Sequence, residues 1–145
     1  MFVRLSTFAV VAALVMACAT GCSSPTRPDP RNTIKELFPA ISKSDSLYLT
    51  TNIDLESAAA SIPDDLSIDP SAGGAATLLK ALTGDGHLRK RWLGDQIVVG
   101  ESQVMGDTSH VEVSFIDRVT RVQYYNKMRL EYRGDHWVIT AFKTM

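Results

Sequence analysis

The sequence predicts an α+β domain in which N-terminal helices pack on an antiparallel sheet, behind a removable leader. Three observations predict it. Residues 96–142 alternate apolar and polar side chains nearly throughout, as in Val111, Val113 and Phe115 against His110, Glu112 and Ser114, and period two marks a sheet with one buried and one wet face. Residues 34–82 instead repeat their apolar positions at helical spacing, which supplies the only segments able to cover that sheet. The first 22 residues run from a charged start through an apolar stretch to small residues and a cysteine, the order of a secretory signal.

The chain has 145 residues, 45% hydrophobic, with a formal net charge of -1 and two cysteines. That length suits one domain of ordinary globular composition. Near-neutral charge gives no case for nucleic acid, which usually meets a clearly basic domain, so none is expected as a partner.

In the leader, Arg4 precedes an apolar run containing Phe8, Val10, Val11, Leu14 and Val15. The run is too short to cross a membrane, which takes roughly 20 residues. Ala19-Thr20-Gly21-Cys22-Ser23-Ser24 resembles the lipobox of bacterial lipoproteins, with Ala19 where leucine is commonest. Val15-Met16-Ala17-Cys18 is a rival box; Cys22 is preferred because Gly21 precedes it and a polar stretch follows. The resemblance implies cleavage before Cys22, a diacylglycerol on its thiol and usually an acyl chain on its amine. Two or three acyl chains anchor stably where one would be marginal. If Cys18 leaves with the signal, Cys22 has no disulfide partner in the chain, and lipidation explains an unpaired exposed cysteine. Ser23 resembles the outer-membrane-directing type. The expected organisation is a lipoprotein signal peptide at 1–21, a lipidated cysteine and tether at 22–31, and a single domain at 32–145. Pro25, Pro28 and Pro30 stiffen the tether.

Asp29-Pro30 is a cap and start for the first helix, with Ile34, Leu37, Phe38 and Ile41 as its apolar stripe. Pro39 falls inside that pattern and predicts a break there or at residues 42–44. Leu47-Tyr48-Leu49 predicts a short helical turn. Asp54 is an N-cap for a helix that buries Leu55, Ala58, Ala59 and Ile62. Residues 64–74, with Pro70, Gly73 and Gly74, predict a mobile loop. Ala75, Leu78, Leu79 and Leu82 form a further helix ended by Gly84-Asp85-Gly86. His87, Arg89, Lys90 and Arg91 then make a small basic cluster before Trp92 and Leu93.

The sheet opens with Ile97-Val98-Val99. Gly100 suggests a bulge and Gly106-Asp107-Thr108 a hairpin. Val122 and Tyr124 keep the phase of Met128, Leu130 and Tyr132, so one long bent strand is expected there. Gly134-Asp135 is the clearest hairpin turn, and the last strand covers 136–143.

Three helices followed by a meander ending in Gly134-Asp135-His136-Trp137-Val138-Ile139 resemble the nuclear-transport-factor-two-like superfamily. Val104-Met105-Gly106-Asp107-Thr108-Ser109-His110-Val111-Glu112-Val113 looks like its first hairpin. Asn52-Ile53-Asp54-Leu55 resembles the second-helix entry of small lipoproteins of that superfamily with no assigned function. The resemblance covers residues 33–143 and implies a cone: helices wrapped on a curved sheet, with a pocket at the wide end. The superfamily holds isomerases, cyclases, dehydratases and binding adaptors, so the fold does not give the function.

Tyr124, Tyr132, Phe115 and Trp137 lie in core phase and are the candidate pocket-lining residues. Enzymes of the superfamily use an aspartate, histidine or tyrosine as acid or base, and Asp117, Tyr124 and Tyr132 are the nearest such groups. No family catalytic motif matches residue by residue, so no catalytic residue is assigned. His87, His110 and His136 are scattered without metal-ligand spacing, and neither metal nor cofactor is expected. His110 and Glu112 share the wet face. The cluster at 87–91, and Lys127 with Arg129 and Arg133, could meet anionic headgroups, each charge contributing ~1 kcal/mol there; Glu131 among the strand cations argues for an ordinary solvated surface. The expected function is a lipid-anchored, non-catalytic binding module in the periplasm, on a partner protein or an apolar small molecule. Its competitor is a small pocket enzyme of isomerase, cyclase or dehydratase type. A homodimer through the open sheet face is a further expectation.

Overall fold

The computed structural model describes residues 26–62 and 73–143. The leader, Cys18, Cys22 and most of the loop expected at 64–74 lie outside the described residues. Among the described residues five helices precede four strands: α1 Pro30–Lys43, α2 Ser46–Asn52, α3 Leu55–Ala60, α4 Gly74–Leu82, α5 His87–Gly94, then β1 Asp95–Met105, β2 Thr108–Asp117, β3 Gln123–Arg133 and β4 His136–Ala141.

Short polar residues start the first three helices. The Asp29 carboxylate accepts from Arg31 N at 2.9 Å, Asp45 from Tyr48 N at 3.0 Å and Asp54 from Ser57 N at 3.1 Å, each satisfying an amide the helix leaves orphaned. Pro39 does not end α1. The hydrogen bond it deletes, to the Lys35 carbonyl, lies where Lys35 and Pro39 are both exposed, so water can take that carbonyl. Burial of Leu37, Ala40 and Ile41 on the other face holds the helix to Lys43. It closes at Ser44, in the left-handed conformation, whose N–H bonds to Ala40 O and Ile41 O.

The basic cluster before the sheet is α5, a helix that the sequence pattern did not reveal. Gly86 admits it: a Cβ there would sit 2.2 Å from the Ala81 carbonyl oxygen, closer than any side chain can come.

The strands form one antiparallel meander in the order β1-β2-β3-β4. Register pairs Ile97 with Phe115, Val99 with Val113, Val111 with Met128, Phe115 with Tyr124 and Tyr132 with Trp137. β1 bulges between Val99 and Ser102, where Gly100 was expected to disturb the ladder. Gly106 and Gly134 turn the two hairpins with positive φ. β3 is the long strand expected around Tyr124 and Met128, with a register shift between Arg129 and Leu130.

The inner face of the sheet buries Val111, Val113, Phe115, Met128, Leu130, Trp137 and Ile139 against Ile34, Leu37 and Ile41 of α1, Leu49 of α2, Leu78 and Leu82 of α4, and Leu88 and Trp92 of α5. The edges differ. β4 is flanked by the α2–α3 junction, through a parallel bridge of Ile53 with Ile139 and a bond from Asp54 N to Ile139 O at 2.9 Å. Among the described residues no strand pairs with the free side of β1.

Candidate functional site

The meander gives the sheet two ends. Both hairpins, at Gly106 and Gly134, lie at one. The other holds the start of β1, the end of β2 and the start of β3, joined by the turn at 118–122.

At this second end the inner face is lined with rings. Phe115 and Tyr124 stack at 5.2 Å between centroids and 4° between planes. Trp92 stacks on Phe115 at 5.7 Å and meets Phe142 edge-on at 5.4 Å. Phe38 of α1 sets its edge against both Trp92 and Phe115. Such offset and edge geometries add about 0.5–1.5 kcal/mol per pair beyond area burial. The rings therefore pack the interior at this end.

Beside them sits a polar pair. The Tyr124 hydroxyl donates to the Asp95 carboxylate, and Asp95 is 6% exposed. The Arg91 guanidinium lies over the Tyr124 ring, 5.2 Å from its centroid. Burial raises the Tyr124 phenol above its ordinary value, and the bond to Asp95 raises it further, with Arg91 pulling the other way. The pair could exchange a proton with a substrate, but Phe115 covers one face of the Tyr124 ring and Arg91 lies over the ring.

Grooves open on the surface of the described residues, two of them beside the sheet. One, of about 390 Å³, runs between α1 and β1 and is lined by Lys35, Phe38, Ile97, Val98 and Val99. The other, of about 290 Å³, lies across the wet face at Glu101, Ser102, Gln103, His110, Glu112 and Lys127. The first is apolar with one cation at its rim. In the second, Glu112 accepts from the Tyr125 hydroxyl at 2.7 Å and pairs with Lys127 at 3.9 Å.

The four residues expected to line a pocket separate into two pairs. Phe115 and Trp137 are fully buried packing residues. Tyr124 and Tyr132 are half-buried, Tyr124 beside Asp95 and Tyr132 at the hairpin end edge-on to Trp137. None of the four lines either groove. Asp117 is a turn residue: its carboxylate accepts from Val119 N and Thr120 N at 2.8 and 2.7 Å, which holds its pKa below the usual carboxylate range.

Most of the suspected basic patches serve the fold. Arg89 donates to the carbonyls of Ile41, Ser42 and Gly84, tying α5 to the end of α1. Arg129 pairs with Glu131, and Arg133 with Glu131 and Asp54. Asp95 was not singled out in the sequence, and Arg91 was read only as part of the basic cluster; a lone aspartate at a strand start reads as an ordinary terminus until Tyr124 is brought to it. Among the described residues no group of three or more His, Cys, Asp or Glu could hold a metal, and no helix is long and apolar enough to cross a membrane.

Comparison with solved structures returns a putative NTF2-like transpeptidase from Campylobacter jejuni. It is 14% identical with a TM-score of 0.51, over 80% of this chain and all of that one. A designed NTF2 protein carrying five substitutions matches at 16% identity and a TM-score of 0.54, over 78% of this chain and 93% of that one. The chain has the NTF2-like fold. At these identities the likeness is one of architecture, the helix-then-meander cone expected from the hairpin motifs. No protein-family model matches the chain, and no curated protein does. In this chain rings pack the described interior and the open groove lies beside its edge strand.

Proposed function

We propose that this chain is a lipid-anchored lipoprotein of the cell envelope, held in the outer membrane through Cys22 and facing the periplasm, where it acts as a non-catalytic binding module for a partner protein. One observation carries the binding mode. Phe38, Trp92, Phe115, Tyr124 and Phe142 fill the interior, while the free edge of β1 and the groove beside it stay open. An extended segment laid along β1 gains main-chain hydrogen bonds from the unpaired edge and sets apolar side chains against Phe38, Ile97 and Val99. Lys35 at the rim favours an acidic residue in that segment. The anchor is supported by the lipobox resemblance around Cys22 and the small residues before it.

The competing reading, an isomerase, cyclase or dehydratase, draws on the Asp95–Tyr124 pair. It needs a substrate to reach that pair, and the stacked rings hold the space.

The test is photo-cross-linking in the intact envelope from a benzophenone amino acid at Val98, which is 44% exposed, with exposed Lys80 of α4 as the control position. A discrete heavier band from position 98 and none from position 80 is expected. No adduct from position 98, with a native mass showing a small molecule that leaves on denaturation, would replace the protein partner by a small ligand. Cys22→Ser should move the chain out of the membrane fraction; retention there would sink the anchor.

A further inference from the structure

The described end of the tether is tied down. Arg27 sends its guanidinium to Asp107 at 2.6 Å and to the Gly106 carbonyl at 2.7 Å, and lies 4.7 Å over the Tyr132 ring. One residue later, the Pro28 carbonyl accepts the Trp137 indole N–H at 2.7 Å. Gly106 and Asp107 form the turn of the β1–β2 hairpin, and Tyr132 and Trp137 flank the β3–β4 hairpin. The chain therefore leaves the domain at the hairpin end, held by both hairpins.

Resting on the anchor at Cys22 proposed above, this clamp sets an orientation. Five residue steps separate Cys22 from Arg27, and at most ~3.6 Å per step allows about 18 Å of reach. The opposite end lies farther off: β2 alone spans ten residues, about 30 Å of strand at ~3.4 Å each. The hairpin end also has a surface suited to lipid. Val104 and Met105, beside the Gly106 turn, are 50% and 52% exposed. The charges around them nearly balance, Arg27, Arg129 and Arg133 against Asp107, Glu131, Asp54 and the exposed Asp135, so the tip approaches a membrane without a large excess of either sign.

We infer that the hairpin tip, with Val104 and Met105, rests on the lipid surface, and that the α1–β1 groove, the Asp95–Tyr124 pair and the exposed Val119 and Val122 of the β2–β3 turn point away from it. The domain is thereby presented to the periplasm with its open groove outward, and the clamp converts a tether into a stand of fixed direction.

The test uses the full chain, expressed with its own leader, recovered from membranes and reconstituted into vesicles of phosphatidylethanolamine and phosphatidylglycerol carrying a nitroxide on the lipid headgroup. A fluorophore is placed on Met105→Cys or on Val119→Cys. Quenching several-fold stronger at position 105 than at 119 is expected. Equal or reversed quenching in a membrane-bound chain would overturn the orientation and leave the anchor standing. A chain found only in the soluble fraction would overturn the anchor and the orientation with it. Arg27→Ala, which frees the tether, should shrink the difference between the two positions; an undiminished difference would show that the clamp does not set the direction.

Discussion

At the hairpin end, Arg27 reaches Gly106 across 79 residues of chain and Trp137 takes the Pro28 carbonyl across 109. At the far end, Phe38, Trp92, Phe115 and Phe142 meet ring to ring, with buried Asp95 and half-buried Tyr124 beside them. Arg27 and Asp107 keep 43% and 73% of their side chains in water, so their attraction is screened and contributes at most about 1 kcal/mol. Trp92, Phe115 and Phe142 are at most 2% exposed, and burying each apolar side chain contributes about 1.5–3 kcal/mol. Polar bonds at the surface fix direction cheaply, whereas buried rings fix stability. The anchor proposed at one end and the groove near the other draw on these two kinds of contact separately.

The comparison would break most visibly at the tryptophans. Trp92 is 2% exposed and Trp137 1%, and each truncation to alanine should cost about 3–5 kcal/mol in a two-state urea melt. Under about 1 kcal/mol for either would mean that its ring is not packed as described. Tyr124→Phe comes next. It leaves the buried Asp95 carboxylate without its hydroxyl partner, at a cost of about 1–3 kcal/mol; an unchanged melting midpoint would show that water already serves that carboxylate. Arg27→Ala should cost under about 1 kcal/mol, so a loss as large as that of Trp92→Ala would erase the contrast between the ends.

The smallest effect is a pH dependence. Backbone bonding from Ser57, and then Arg133, hold the Asp54 carboxylate below its usual range. A carboxylate with a depressed folded-state pKa adds stability above its unfolded value near 3.8, and that stability is lost as pH falls through the folded value. Stability measured from pH 5.5 down to 2.5 should therefore fall less steeply in Asp54→Asn than in the native chain. Parallel curves would remove Asp54 from the acid limb.

Much of the architecture was legible in the chain. Val111, Val113 and Phe115 alternate because one face of β2 is buried, and Gly106-Asp107 and Gly134-Asp135 mark turns whose chemistry is local. Asp29, Asp45 and Asp54 cap helices within three residues of themselves. Pro39 left two places open for the end of α1, and the helix takes the second, at Ser44, because the proline's penalty is local whereas burial of Leu37 and Ile41 is decided by the sheet. α5 was hidden behind its charges: Arg89 and Arg91 read as a surface patch until one is found closing α1 and the other over Tyr124.

Local periodicity and turn chemistry thus determined, from the sequence alone, that helices precede an antiparallel meander and which face of the sheet is buried, while leaving α5 unread. Three things were left to the tertiary structure: that rings fill the cone, that Asp95 meets Tyr124 across 29 residues, and that Arg27 and Pro28 are clamped to the hairpin end. The physical reason is range. Capping and alternation act within a few residues and leave a pattern in the chain, whereas a packed interior or a long-range hydrogen bond depends on which distant side chains the fold brings together, and no spacing along the sequence encodes that.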